Sequence, residues 1–252
     1  MISVIVPVFN QLEMTGECIE AIRRNTKGYE LIIVDNGSEP AFVPLLELHA
    51  TEFTGFVNPS LIRNEENLGF PVAVNQGIRV ATGDVIVLLN NDVFVTPGWS
   101  ERLLKGLEKY DIIGPCTNYS SGLQRVNLEG IYNDIDELNI EAVKWSEMHD
   151  GKIDEVNWLI GFCFAFKKSL YDELGEFDES LWPSSGEEID FCLRAKQAGK
   201  KIGIARDVYV HHEGSVTFME MNSEYPYKHI IEKSEKHLKD QWGDAYSRQG
   251  AA

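Results

Sequence analysis

Three short polar stretches of this 252-residue chain carry side chains able to do chemistry, and they lie far apart along it. Asn90-Asn91-Asp92 places a carboxylate beside two amides, directly after the apolar run Val85 to Leu89. All three side chains can offer oxygen to a hard divalent cation such as Mg²⁺ or Mn²⁺, which also keeps room for substrate phosphates. The same residues make ordinary turns after strands, and taken alone the turn is their commoner use. Glu187-Glu188-x-Asp190 precedes an apolar helical pattern, Ile189, Cys192 and Leu193. Crowded carboxylates raise one another's pKa, which suits a general base working near neutrality. Acids at that place can equally do no more than complement a helix N-terminus. His211-His212 ends the last strand-like run. An imidazole can complete a metal site or, when charged, bind phosphate. Successive strand residues point to opposite faces, so at most one of the pair faces a site.

The elements that must position these residues alternate in type. Ser3 to Val8 and Leu31 to Val34 are near-continuous apolar runs, as expected of strands buried on both faces. Between them Thr15, Cys18, Ile19 and Ile22 form one stripe of an amphipathic helix. Leu61-Ile62 is a weaker third strand, Val72 to Val80 a helix, and Val85 to Leu89 the fourth strand. The order is that of a parallel sheet covered by helices. Sites in such sheets collect at the carboxyl ends of the strands. Here those ends hold Phe9-Asn10, Asp35-Asn36, Arg63-Asn64 and Asn90-Asn91-Asp92. Further on, Val156 to Phe166 reads as an aromatic-rich strand interrupted by Gly161, and Lys201 to His212 as another strand. A C-terminal helix would set Tyr227, Ile231, Ser234, Leu238 and Trp242 on one face.

Composition narrows the class. With 23 Lys and Arg against 40 Asp and Glu, the formal net charge is −17, which argues against a nucleic-acid partner. Fifteen of those charges come from two stretches: Glu129 to Glu155, read as a solvated face, and Tyr171 to Asp190. Cys18, Cys116, Cys163 and Cys192 form no metal-binding spacing, so buried reduced thiols are expected. No apolar run approaches the ~20 residues that span a bilayer, and the first residues lack a signal peptide's basic start. A cytoplasmic protein is expected. The lysines of the C-terminal helix allow a peripheral membrane contact, although packing on the core is the simpler use of one modest apolar face.

The motifs, taken in order, resemble family 2 glycosyltransferases of the GT-A fold, in particular their rhamnosyltransferase-like branch. Val4-Ile-Val-Pro-Val-Phe-Asn10 is similar to the family's first strand and nucleotide loop, and Glu30 to Ser38 to its second strand. Arg63 to Phe70 and Asn75 to Ile78 resemble the segment before the metal motif, which Leu89-Asn-Asn-Asp-Val93 matches in its Asn-Asn-Asp form. Trp158 to Gly161 and Gly175 to Glu179 look like the acceptor-side strand and loop. Gly186 to Arg194 resembles the motif of the catalytic base, and His211 to Ser215 the late histidine segment. The resemblance covers roughly residues 2–218. It implies a GT-A domain over 1–218, with a nucleotide-sugar half (1–95) and an acceptor and catalytic half (96–218), followed by a helical extension, 219–252. The implied architecture is α/β, a Rossmann-like nucleotide-binding sheet with a smaller mixed acceptor-side sheet.

What the resemblance implies for activity is inverting, metal-dependent transfer from a UDP- or dTDP-sugar to a hydroxyl of a glycan, lipid-linked saccharide or protein. Asp92 would hold Mn²⁺ or Mg²⁺, with His211 the preferred histidine ligand and His212 the fallback. Glu188 would be the base, with Glu187 and Asp190 the other candidates. Pro7, Val8, Asn10, Asp35, Arg63, Asn67, Asn90 and Asn91 would form the nucleotide-sugar pocket. Trp158, Gly161 and Trp182 would stand on the acceptor side, with Trp158 equally able to belong to the core. The family usually has Asp where this chain has Glu188, whose extra methylene moves the carboxylate by ~1.5 Å. That difference supports an alternative, a nucleotide-sugar-binding module without transfer. A nucleotidyltransferase would want a Gly-rich, basic loop after the first strand, and Asn10-Gln-Leu-Glu-Met14 is neither.

Overall fold

The computed structural model describes residues 1–51, 60–128, 132–214, 227–247 and 249. Its first half is the expected alternation. Strands β1 (Ile2–Val8), β2 (Tyr29–Asn36), β3 (Ser60–Asn64) and β4 (Val85–Leu89) run parallel in the order β3-β2-β1-β4. Helices α1 (Leu12–Asn25), α2 (Val43–Thr51) and α3 (Phe70–Val80) make the connections. Every residue of β1 and β2 is buried, which is why both read as unbroken apolar runs. The α1 stripe of Thr15, Cys18, Ile19 and Ile22 faces inward as its spacing requires.

The mixed strands continue the same sheet. Beyond β4 the order is β8 (Cys163–Lys167), β6 (Ile112–Thr117), β9 (Ile202–His212) and β5 (Val93–Val95), with β7 (Ile153–Val156) also paired to β9. Antiparallel β8 joins the two halves, pairing with β4 on one side and β6 on the other. Helices α4 (Trp99–Gly106), α5 (Ile135–Met148), α6 (Lys168–Leu174), α7 (Glu187–Gln197) and α8 (Tyr227–Trp242) complete the chain.

Some expected elements differ. Val156 to Phe166 is two strands: β7 stops at Val156 and β8 starts at Cys163. The residues between leave the sheet, and Ile160 and Gly161 line a cavity instead. Within the acidic stretch, Asp134 caps α5 by accepting from the N–H groups of Asp136 and Glu137, and the helix buries only Leu138, Ala142 and Ser146. That is the solvated face expected of it; residues 129–131 lie outside the described residues, as do 215–226, where the 218/219 boundary falls. All four cysteines are free and buried. No helix among the described residues is long and apolar enough to cross a membrane.

One side chain ties the first half of the sheet to the segment before α7. Asn75, fully buried on α3, donates to the Phe177 carbonyl (3.0 Å) and to Glu179 (3.0 Å). Its Oδ1 accepts from the Phe177 N–H (3.0 Å) and the Tyr171 hydroxyl (3.2 Å). Phe177 then stacks on Phe191 of α7 at 4.5 Å between ring centroids. Replacing Asn75 with Ala would leave the buried Phe177 backbone groups unpaired, at ~1–3 kcal/mol for each unsatisfied group. Asn75→Ala is expected to lower the urea midpoint strongly without changing its slope; an unchanged midpoint would deny this hub its role.

Candidate active site

A cavity of about 550 Å³ opens at the carboxyl ends of β1 and β4. One wall carries Asp92 and His212. They meet because the chain leaves β4 and its next strand, β5, pairs antiparallel with the end of β9, setting Val93 opposite His212. The two side chains are almost fully buried and lie 3.3 Å apart, His212 Nε2 to Asp92 Oδ1. His212 Nδ1 is 2.8 Å from the Tyr119 carbonyl oxygen, which can only accept, so the proton sits on Nδ1. His212 Nε2 faces the Asp92 carboxylate from the same wall. Asp92 Oδ1 and Asn90 Oδ1 are both buried with no hydrogen-bond partner. The open oxygens of Asp92 and of Asn90, two residues before it, with His212 Nε2 beside Asp92, are atoms of the kind a hard divalent cation takes as ligands. No group of three or more metal-ligating side chains occurs among the described residues, so a cation here would take further ligands from phosphate or water. Phe162 stacks on the His212 ring at 5.2 Å and fixes its plane.

The opposite wall is the first turn of α7. Glu187 and Glu188 are buried and both line the cavity. Glu188 accepts from two backbone N–H groups, Gly161 at 3.3 Å and Gly186 at 3.1 Å. Glu187 has one long contact, from the Ser184 hydroxyl at 3.4 Å, and its Oε2 has no partner. Burial pushes the Glu187 carboxyl well above the usual carboxylate range, and the charge of Glu188 pushes it further. Burial raises Glu188 as well, opposed by the N–H groups that hold its charge. Gly161 is required by contact: a Cβ there would lie 3.1 Å from both Cβ and Cγ of Glu188.

The floor comes from the loops after β1 and β2. Pro7, Val8, Asn67, Asn90 and Asn91 line the cavity as expected, together with Phe9, Asn36 and Phe70. Asn36 is the hub that sequence reading left inside a turn. It donates to Asn67 Oδ1 (2.9 Å) and the Gly69 carbonyl (3.1 Å), and accepts from Asn64 and the Leu68 N–H. Asp35 is buried, with Oδ1 taken by the Ser38 N–H and Oδ2 3.5 Å from Arg63, too long to satisfy that oxygen. Neither Asp35 nor Arg63 touches the cavity itself.

Several expected site residues have other work. His211 is turned from the cavity, between Tyr132 (2.6 Å to Nδ1) and Glu213 (3.1 Å to Nε2), and stacked on Phe94. Strand alternation allows one histidine inward, and the β5–β9 register selects His212 instead of the preferred His211. Asp190 is buried behind the acidic turn, bonded to Arg194, Gln241 and Trp242. Asn10 links loops, its Oδ1 accepting from the Glu39 N–H. Asn91, though on the wall, donates to the Thr15 hydroxyl. Trp158 stacks on Tyr246 and donates to its carbonyl, and Trp182 covers Gly69, so neither ring lines the cavity. The outer rim that no motif announced is Tyr119, Ser120, Ser121 and Arg125, on the loop after β6.

The fold is that of the GT-A glycosyltransferases. It matches GalNAc-T7, solved with UDP, GalNAc and Mn²⁺, at a TM-score of 0.71 and 19% identity, over 98% of this chain and 49% of that one. It also matches S. aureus TarS in complex with UDP, at a TM-score of 0.56 and 15% identity, over 95% of this chain and 72% of that one. The chain belongs to glycosyl transferase family 2, whose profile matches residues 3–175. Among curated relatives, the uncharacterized glycosyltransferase YwdF of Bacillus subtilis is 34% identical over 77% of this chain and 67% of its own length. The glycosyltransferase GlyG of Streptococcus pneumoniae is 25% identical over 95% of this chain and 80% of its own length.

The acidic turn has a signature in stability. A carboxyl whose pKa rises on folding weakens the native state as pH climbs from its unfolded value, near 4.5, toward its folded one. Glu187→Gln mimics the neutral form that the site prefers. Its melting temperature should exceed the parent's by a few degrees at pH 8, with the gap closing toward pH 4.5. Equal melting temperatures at both ends would mean that Glu187 is not held neutral.

Proposed function

We propose that this glycosyltransferase is an inverting enzyme that moves a sugar from a nucleotide-diphosphate sugar, a UDP- or dTDP-sugar, to an acceptor hydroxyl in glycan or polysaccharide synthesis. The acceptor is a glycan, a lipid-linked saccharide or a protein. One observation supports the reading: the Asp92–His212 contact and the Glu187–Glu188 pair line the same cavity. The UDP in the TarS and GalNAc-T7 structures, and the Mn²⁺ in the latter, support a nucleotide donor and a divalent cation.

In this reading Pro7, Val8, Asn67 and the Asn36 hub shape the nucleotide pocket, and Asp35, behind it, braces the turn after β2 by accepting from the Ser38 N–H. Asp92 and His212 would hold Mn²⁺ or Mg²⁺, which would supply Lewis-acid neutralisation of charge on the diphosphate. Glu188 takes the proton of the acceptor hydroxyl as its oxygen bonds to the anomeric carbon. The bond from that carbon to the phosphate oxygen breaks, and the nucleoside diphosphate leaves with the electron pair. Glu187 keeps the proton of the acidic pair, so the base is the carboxylate that two N–H groups stabilise. Ser120, Ser121 and Arg125 on the rim then meet the acceptor.

Calorimetry with UDP and dTDP, with and without Mn²⁺, tests the donor side. Asp92→Ala should weaken metal-dependent binding by ~10–100-fold; normal turnover in this variant would remove Asp92 from the site. Glu188→Gln should lose ~10²–10⁴ in transfer rate while binding nucleotide as before. If Glu187→Gln alone has that effect, the base is Glu187. Tight nucleotide binding with no turnover on any acceptor would instead favour a binding module.

A further inference from the structure

Helix α8 lies outside the span matched to the family, yet it packs on the acidic turn and reaches the cavity. Leu238 is 1% exposed and lies against Ile189 and Leu193 of α7. It also closes over Gly186, where an added Cβ would come within 2.9 Å of its Cδ1. Gly186 has φ 95°, a conformation that favours glycine, and it leads directly into Glu187 and Glu188. One turn beyond Leu238, Trp242 Nε1 donates to Asp190 Oδ1 at 3.0 Å, and Gln241 Nε2 donates to the same oxygen at 3.2 Å. Arg194 Nε holds Oδ2 at 2.8 Å. Asp190 is 1% exposed and accepts from three side-chain donors, two of which come from α8. At the other end of the helix, Ile231 lines the cavity.

We infer that α8 is a clamp on the catalytic turn, with Trp242 a positioning residue that fixes Glu187 and Glu188 through Asp190. The inference rests on the reading of Glu188 as the base. Glu187, Glu188 and Asp190 share the first turn of α7, so rotation of that turn about its axis swings all three together. The Trp242–Asp190 bond, on the side away from the cavity, opposes that rotation. The two backbone N–H groups that hold Glu188, Gly161 at 3.3 Å and Gly186 at 3.1 Å, fix its carboxylate but not the rotation of the turn that carries it. A misplacement of about 1 Å at a reacting group can cost ~100-fold in rate.

The test uses the full chain with Trp242→Phe, which keeps an aromatic ring at the contact and removes the N–H. Deuterium uptake of peptides spanning 186–193 should become about tenfold faster, as expected for loss of a bond to a buried charge. Peptides from β1 and β2 should be unchanged. The transfer kcat should fall about tenfold or more with the donor KM within about twofold, because the groups that bind the nucleotide are untouched. Asp190→Asn, which keeps an oxygen for the indole N–H, should retain more kcat than Asp190→Ala. If Trp242→Phe fails to fold, Gln241→Ala on an exposed side chain should shift both readouts the same way by a smaller amount. A lower melting temperature with unchanged kcat and unchanged uptake would make α8 mere packing and overturn the clamp. A wild-type chain that binds no nucleotide-sugar would sink the donor reading instead, while uptake over 186–193 still decides the clamp.

Discussion

His212 Nε2 and Asp92 Oδ1 are held 3.3 Å apart in an almost fully buried wall, where electrostatic interactions between such groups are strong. The rest of this structure is arranged to hold Asp92 and His212 in that position. Asp92 stands at the end of the central strand β4, and His212 at the end of β9, near the far edge of the sheet. The three-residue strand β5 brings them together by running from one to the other. The Tyr119 carbonyl then fixes the tautomer, and Phe162 the ring plane. Together they leave the oxygens of Asp92 and Asn90 without hydrogen-bond partners in a dry wall, where electrostatic effects are large.

The facing wall solves the opposite problem. Two carboxylates are buried side by side, and both cannot keep a charge at low cost. The backbone divides the roles by giving its N–H groups to Glu188 and leaving Glu187 with an unpartnered oxygen. Gly161, with no Cβ in the way, both donates to Glu188 and lets its side chain pass.

Local patterns made the parallel half of the fold legible, because buried parallel strands and an amphipathic helix leave periodicities of their own in the sequence. The Asn-Asn-Asp turn and the acidic cluster were legible by residue type for the same reason. What sequence could not supply was pairing between distant strands. The choice between His211 and His212 depends on the β5–β9 register, and a one-residue slip would exchange them. Asp190 and Trp158 misled because a buried polar or aromatic residue reads the same whether it meets substrate or a later helix. Their partners, Trp242 and Tyr246, come 52 and 88 residues further on. Asn36 had a visible signal, its place in a turn at a strand's carboxyl end, but nothing local showed that four loop groups converge on it.

The short segment 160–162 bears a consequence for how such a protein can diversify. Gly161 touches the acid of one wall and Phe162 the histidine of the other, so the spacing between the two chemical centres is written into two adjacent residues of backbone. An insertion or deletion there would disturb both centres at once, and this stretch should be closed to length change. The loop after β6, which carries Tyr119, Ser120, Ser121 and Arg125, enters the cavity from outside that spacing. Its outer residues can be exchanged without altering the distance between acid and metal-type pair. The architecture thus sets a short, fixed ruler of backbone apart from the loop that rims the cavity.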